Sequence, residues 1–81
     1  MNQTPTIDVH GMTAAEATRY VSINLRELKN EGFSEVFIIH GHGQGILRQK
    51  IRSLLETLPY VKSYRPGKYG EGEDGVTVTS F

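Results

Sequence analysis

Cysteine is absent from this 81-residue chain, which removes both a disulfide framework and a thiolate metal site from consideration. That absence is compatible with a cytoplasmic protein. No apolar run approaches the ~18 residues of a membrane helix, and no basic-then-apolar leader opens the chain, so no membrane association is expected. Excess charge is also lacking, because nine basic and nine acidic side chains cancel. The remaining imbalance is local, −2 over residues 1–40 and +2 over residues 41–81, too small by itself to argue for nucleic acid. A chain of this length with 37% hydrophobic residues makes one domain around one core.

What the chain does have is concentrated in one stretch, Ile38-Ile39-His40-Gly41-His42-Gly43-Gln44-Gly45-Ile46. An apolar run enters three alternating glycines and leaves into a helical pattern. Glycine lets backbone approach a ligand, and the unpaired N–H groups of a first helical turn point at it, which suits an anion. The remaining histidine lies in His10-Gly11, so all three histidines occupy glycine turns.

In order, residues 1–5 read as a flexible lead-in or linker and residues 6–81 as the domain. Thr6–His10 alternates with period two, placing Ile7 and Val9 on one face and Asp8 and His10 on the other. Thr13 to Glu16 has the form of a capping box, and Ala14, Ala17, Val21, Leu25 and Leu28 continue as one helical stripe to a left-handed cap at Gly32. Tyr20 and Ile23 fall off that stripe, towards solvent. Val36–Ile39 is continuously apolar, as in a central strand buried on both faces and parallel to its neighbours. Leu47, Ile51, Leu54, Leu55 and Leu58 form a second helical stripe, ended by Pro59. Val61–Arg65 reads as a third strand, residues 66–75 as a mobile loop with four of the nine glycines, and Val76–Phe81 as the last strand. Right-handed crossovers then put both helices on one face of a mixed four-stranded sheet. The expectation is an α/β chain folded as a two-layer α+β sandwich, with the first three strands parallel and the last antiparallel.

Ligands collect beyond the carboxyl ends of parallel strands, where both His-Gly pairs lie. A carboxylate beside an imidazole, as Asp8 is beside His10, is what general acid–base chemistry uses. The plain alternative is that short strands often end in glycine turns and His10 merely caps the sheet. Gly41-x-Gly43-x-Gly45 fails as a dinucleotide fingerprint: the third glycine comes one residue early, and no acidic residue follows at the required distance. A generic phosphate cradle remains. His40-x-His42 could chelate a metal, but no tetrahedral set of spacings accompanies it. Arg48, Arg52, Lys62, Arg65 and Lys68, with Tyr60, Tyr64 and Tyr69, could form a nucleic-acid surface, although on composition alone a solvated helix edge beside ordinary strand aromatics, blunted by Glu71, Glu73 and Asp74, is the better account.

Asp8-Val9-His10-Gly11 before a long helix, His40-Gly41-His42-Gly43 opening a second, and a glycine-rich loop before Val76-Thr77-Val78 together resemble the Smr (small MutS-related) domain over residues 6–81. The resemblance implies strand order 1-2-4-3 and an endonuclease that nicks DNA or cleaves RNA, in repair or recombination control or at stalled ribosomes. It implies a nucleic-acid partner, and the ribosome where messenger RNA is the substrate, with the isolated domain a monomer and a parent protein dimeric. The alternative is a non-catalytic nucleic-acid or ribosome-docking module of a larger MutS-like ATPase. Asp8, His10 and His40 are the expected catalytic residues: Asp8 orients His10 or a bound divalent ion, His10 serves as general base or acid, and His40 with the Gly41–Gly45 backbone holds the scissile phosphate. Gly11, Gly41, His42, Gly43, Gly45, Arg48, Arg52 and Lys68 are the expected phosphate and nucleic-acid contacts. His42 stands where the family commonly has lysine, which removes a permanent charge. No tightly bound cofactor is expected; a divalent cation, Mg²⁺ or Mn²⁺, would enter only during catalysis.

Overall fold

A computed structural model describes residues 4–81. Its first element, β1 (Thr6–Asp8), buries Ile7 and exposes Thr6 and Asp8, as the alternation requires. Thr13 then caps α1 (Ala14–Asn30) through the full capping box: its hydroxyl accepts from the Glu16 N–H while its own N–H donates to the Glu16 carboxylate. Ala17, Val21 and Leu25 are the buried residues of its stripe, with Leu28 packed at the margin. Gly32 ends the helix at φ +98°, its N–H bonded to Lys29 O and that of Phe33 to Leu28 O, a left-handed cap that an L side chain adopts only with strain. Tyr20 and Ile23 are exposed.

β2 (Glu35–Ile39) leads through the glycine turn into α2 (Ile46–Thr57), which buries Ile51 and Leu55 while Leu47, Leu54 and Leu58 flank the core. β3 (Ser63–Pro66), a short 3₁₀ turn at Glu73–Gly75, and β4 (Val76–Ser80) complete the chain. The strand order is β1-β2-β4-β3, with β1 parallel to β2 and β4 antiparallel to both β2 and β3. The mixed sheet and two helices of the sandwich stand as expected, and β1, β2 and β3 all run the same way. One core joins the helices to the sheet through Ile7, Val9, Val36 and Ile38. Each such fully buried aliphatic side chain contributes about 1.5–3 kcal/mol.

Four local expectations are corrected. β2 is central, but its second neighbour, β4, is antiparallel, and Phe37 and Ile39 are only half-buried on the face away from the helices. β3 begins at Ser63 rather than Val61, because Val61 N–H closes a turn onto Leu58 O around Pro59. Pro66 ends β3 on an edge strand, where a missing N–H costs no ladder bond. The 66–75 loop is pinned rather than free, with Gly75 buried at its end. Of the expected lead-in, residues 1–3 lie outside the described residues, and Pro5 carries its carbonyl onto the Phe37 N–H, 3.0 Å away.

β4 also reverses the simplest reading of its alternation. Thr77 and Thr79 pair with Ile38 and Val36, which belong to the core, so the threonines face the helices. Val76 and Val78 face the other way, yet both are buried, Val76 lying directly beneath Gly72 of the loop.

Candidate functional site

Parity carries Asp8 and His10 to the open side of β1 while Val9 between them is buried. Asp8 Oδ1 accepts from His10 twice, from the ring Nδ1 at 2.6 Å and from the backbone N–H at 3.1 Å. Both side chains remain about half exposed or more, at 48% and 68%. The hydrogen bond from the imidazole to the carboxylate raises the His10 pKa and lowers that of Asp8. With Nδ1 committed to Asp8, the free nitrogen of His10 is Nε2, an arrangement that fixes the tautomer of a proton-transfer residue.

The two His-Gly turns abut. A Cβ placed on Gly41 would lie 3.6 Å from the His10 Cβ. Between them opens a cleft of about 380 Å³, walled by His10 and Met12 on one side and by the His40–Arg48 segment on the other. Gly41, Gly43 and Gly45 all have positive φ, at +83°, +36° and +84°, so the floor is backbone that turns its amides without side chains in the way. Gly45 caps α2 with no side-chain hydrogen bond, and the first turn holds no acidic residue. Its N–H groups therefore face the cleft with the positive end of the helix dipole behind them. Arg48 folds back over Gly45, where an added Cβ would come within 2.8 Å of its Nη2.

His40 is placed quite differently from His10. It is 4% exposed, and Nδ1 donates to Gly41 O at 3.0 Å because a carbonyl can only accept. Burial, with Arg52, Arg48 and His42 adding repulsion, lowers its pKa and keeps it neutral. Nε2 is then an acceptor, and the Thr77 hydroxyl donates to it at 2.9 Å. Thr77 Oγ1 in turn accepts from Arg52 Nε at 3.3 Å. Both ring nitrogens of His40, which was expected to hold the phosphate together with the glycine backbone, are therefore engaged inside the protein. Its effect on the cleft passes through Gly41, whose carbonyl it fixes. Arg52 is likewise drawn inward, with Nη2 buried and without a partner among the described residues.

The structure brings Asp8, His10, Gly11, Gly41, His42, Gly43, Gly45 and Arg48 to this cleft or its rim. Arg48 and Arg52 also line an adjoining cleft of about 360 Å³ with Gln49, Glu56 and Tyr64. Lys68 stands apart, exposed in the β3–β4 loop. Two further residues build the site. Thr77 fixes His40, and Gly75 O accepts from both the His40 and Gly41 N–H groups at 3.0 Å. Gly75 also makes room for the His42 ring, which a Cβ there would meet at 2.9 Å and push aside. Val36-Ile38-His40 shares one parity, which was the available signal that His40 turns inward.

A larger depression, about 730 Å³, lies at the opposite end of the sheet around Phe33, Lys62 and Phe81 and contains no histidine. Among the described residues no three His, Asp or Glu side chains come together as a metal-ligand set. Asp8, the acid beside the cleft, has Oδ1 bound to His10. This donor set does not fit a preformed divalent-cation site. No helix among the described residues is long and apolar enough to cross a membrane.

Comparison with known proteins places these turns in a family. Residues 7–81 match the family described as Smr domain. Similar relatives include proteins named Endonuclease MutS2 from Caldicellulosiruptor bescii, 51% identical over 75 residues, and from Clostridium novyi, 49% identical over 75 residues. Each alignment covers 93% of this chain but only 10% of the relative, so the chain spans about a tenth of their length. The crystal structure of the Smr domain of Thermus thermophilus MutS2 superposes with a TM-score of 0.92 at 39% identity, covering 95% of this chain and 96% of that one. YdaL, a stand-alone small MutS-related protein from Escherichia coli, shares the fold at a TM-score of 0.91 and 20% identity, over 99% of this chain and 66% of its own. With the family matched across nearly its whole length, this chain belongs to the Smr domain family.

Proposed function

We propose that the chain is a nucleic-acid endonuclease domain that cleaves phosphodiester bonds, with His10 as its proton-transfer residue. The observation that carries this reading is the Asp8–His10 pair, solvent-accessible at the lip of a cleft floored by glycine backbone and an uncapped helix start. The name Endonuclease MutS2 of its relatives supports it. A phosphate in the cleft would be held by the amides of the Gly41–Gly45 turn and the first turn of α2, with Arg48 as a fixed cation. His10 Nε2 takes a proton from the attacking hydroxyl, which is water or, in RNA, the neighbouring 2′-OH. The new P–O bond forms as the ester P–O bond breaks, and solvent protonates the departing alkoxide. Asp8 stabilises the imidazolium that forms, and His40 is a positioning residue that holds Gly41.

The deciding assay incubates the protein with supercoiled DNA and with structured RNA, in Mg²⁺, Mn²⁺ or EDTA. Cleavage in any lane supports the endonuclease. Retarded mobility without cleavage in every lane would make the domain a docking module.

As a base, His10 must be neutral, so the rate should fall as pH drops through its raised pKa. Asp8→Asn removes the carboxylate that raises this pKa, so the pH–rate limb should move to lower pH and the plateau should drop. A pH profile that keeps its limb would detach Asp8 from the mechanism. Arg48→Met should weaken binding across all sequences alike and reduce the slope of log affinity against log salt by about 1, as measured by titration at several salt concentrations.

A further inference from the structure

The sheet end that carries the cleft has a third loop, between β3 and β4. β3 runs in the same direction as β1 and β2, so Pro66 leads residues 67–75 out beside the two His-Gly turns. Strands are about 4.8 Å apart, which puts the start of this loop roughly 10 Å from the end of β2. Its far root is closer still, since Gly75 O holds the His40 and Gly41 N–H groups.

The loop is built to hold one side chain out. Glu71 N–H bonds back to Lys68 O at 2.8 Å, closing a four-residue turn with Tyr69 second and Gly70 third at φ +88°. Lys68 N–H returns a bond to Glu71 Oε1 at 2.7 Å, and Arg65 grips the same carboxylate with two nitrogens at 2.9 and 3.4 Å. Arg65 and that N–H hold Glu71 ionised, its pKa lowered to about 2. At the apex Tyr69 is 94% exposed, whereas Tyr60 packs against Phe81 and Tyr64 OH bonds to Glu56. Glu73 and Asp74 stay exposed beyond it and repel phosphate, so the loop offers an aromatic face rather than charge.

We propose that Tyr69 is a stacking platform for an unpaired base lying one or two nucleotides from the scissile phosphate, and that the domain prefers a single-stranded segment there. This rests on the endonuclease reading. A ring face on a closed turn takes any base that is free to leave its stack, and a base held in a duplex has no face to offer. Because Gly75, at the far root of the same loop, holds the His40 and Gly41 amides, a base seated on Tyr69 sets where the adjoining phosphate falls.

The chain contains no tryptophan, so Tyr69→Trp installs a single fluorescent reporter at the apex. A 12-nucleotide single strand should quench it, and the matching duplex should not. Tyr69→Ala should weaken single-strand binding by about tenfold, leave duplex binding unchanged, and be matched to wild type by Tyr69→Phe. Because the ring touches solvent almost entirely, none of these changes should alter thermal unfolding. Equal single-strand affinity of Tyr69→Ala and wild type would overturn the stacking role and leave the endonuclease standing. A wild-type protein that binds neither probe would overturn both.

Discussion

Replacing His10 with alanine should lower the cleavage rate by roughly 10²–10⁴-fold, the span that a positioned acid–base group supplies. The loss should fall on the chemical step. The His10 side chain is 68% exposed and its one side-chain partner is Asp8, so removing it opens no cavity and strands no buried group. Nucleic-acid affinity and the urea unfolding midpoint should therefore match wild type. Single-turnover cleavage beside equilibrium binding separates the two effects. A His10→Ala protein that is folded, binds and cuts at the wild-type rate would take His10 out of the mechanism.

The second large effect concerns stability. Thr77→Val keeps the shape of the side chain and removes the hydroxyl that sits between His40 Nε2 and Arg52 Nε. His40 Nε2 then loses its partner in a buried place and Arg52 Nε in a half-buried one, and stranding a buried polar group costs about 1–3 kcal/mol. For a domain of this size each kcal/mol lowers Tm by roughly 4–8 °C. Thr79 provides the control. It is equally buried and faces the same helix layer, but its hydroxyl has no partner among the described residues. Thr79→Val should therefore leave stability unchanged or raise it. Urea or thermal unfolding of the two variants reads the difference, and equal losses from both would mean that the His40 network adds nothing beyond packing.

These residues mark where the sequence was and was not legible. The two helices announced themselves through a capping box, left-handed Gly32 and apolar stripes, because those signals act within a few residues. The meeting of the His-Gly turns was also legible, since two strands ending in glycine at one end of a sheet must face each other. The unlike fates of His10 and His40 were less so. In β1 the alternation is clean and puts His10 outside, whereas in β2 the unbroken apolar run conceals that Val36, Ile38 and His40 share the inner face. Thr77 was hidden for a longer-range reason. Local alternation favours valines inward, but β4 lies in the sheet interior with a loop folded over its far face, so its valines find cover there and its threonines turn to the helices. The late start of β3 came from a turn around Pro59 that strand propensity does not reveal.

The placement of β4 between β2 and β3 also governs when the site comes into being. Residues 1–70 contain His10, His40 and every glycine of the cradle, yet they leave the second edge of β2 open and the His40-Gly41 amides without the Gly75 carbonyl. Closing that edge pairs residues some forty positions apart, the kind of distant contact that forms late. The cleft is therefore finished in the same event that finishes the sheet. A half-synthesised or shortened chain carries all the chemistry in its sequence and none of the geometry. The finished cleft would arrive with the last strand, as a property of the completed domain rather than of the motif.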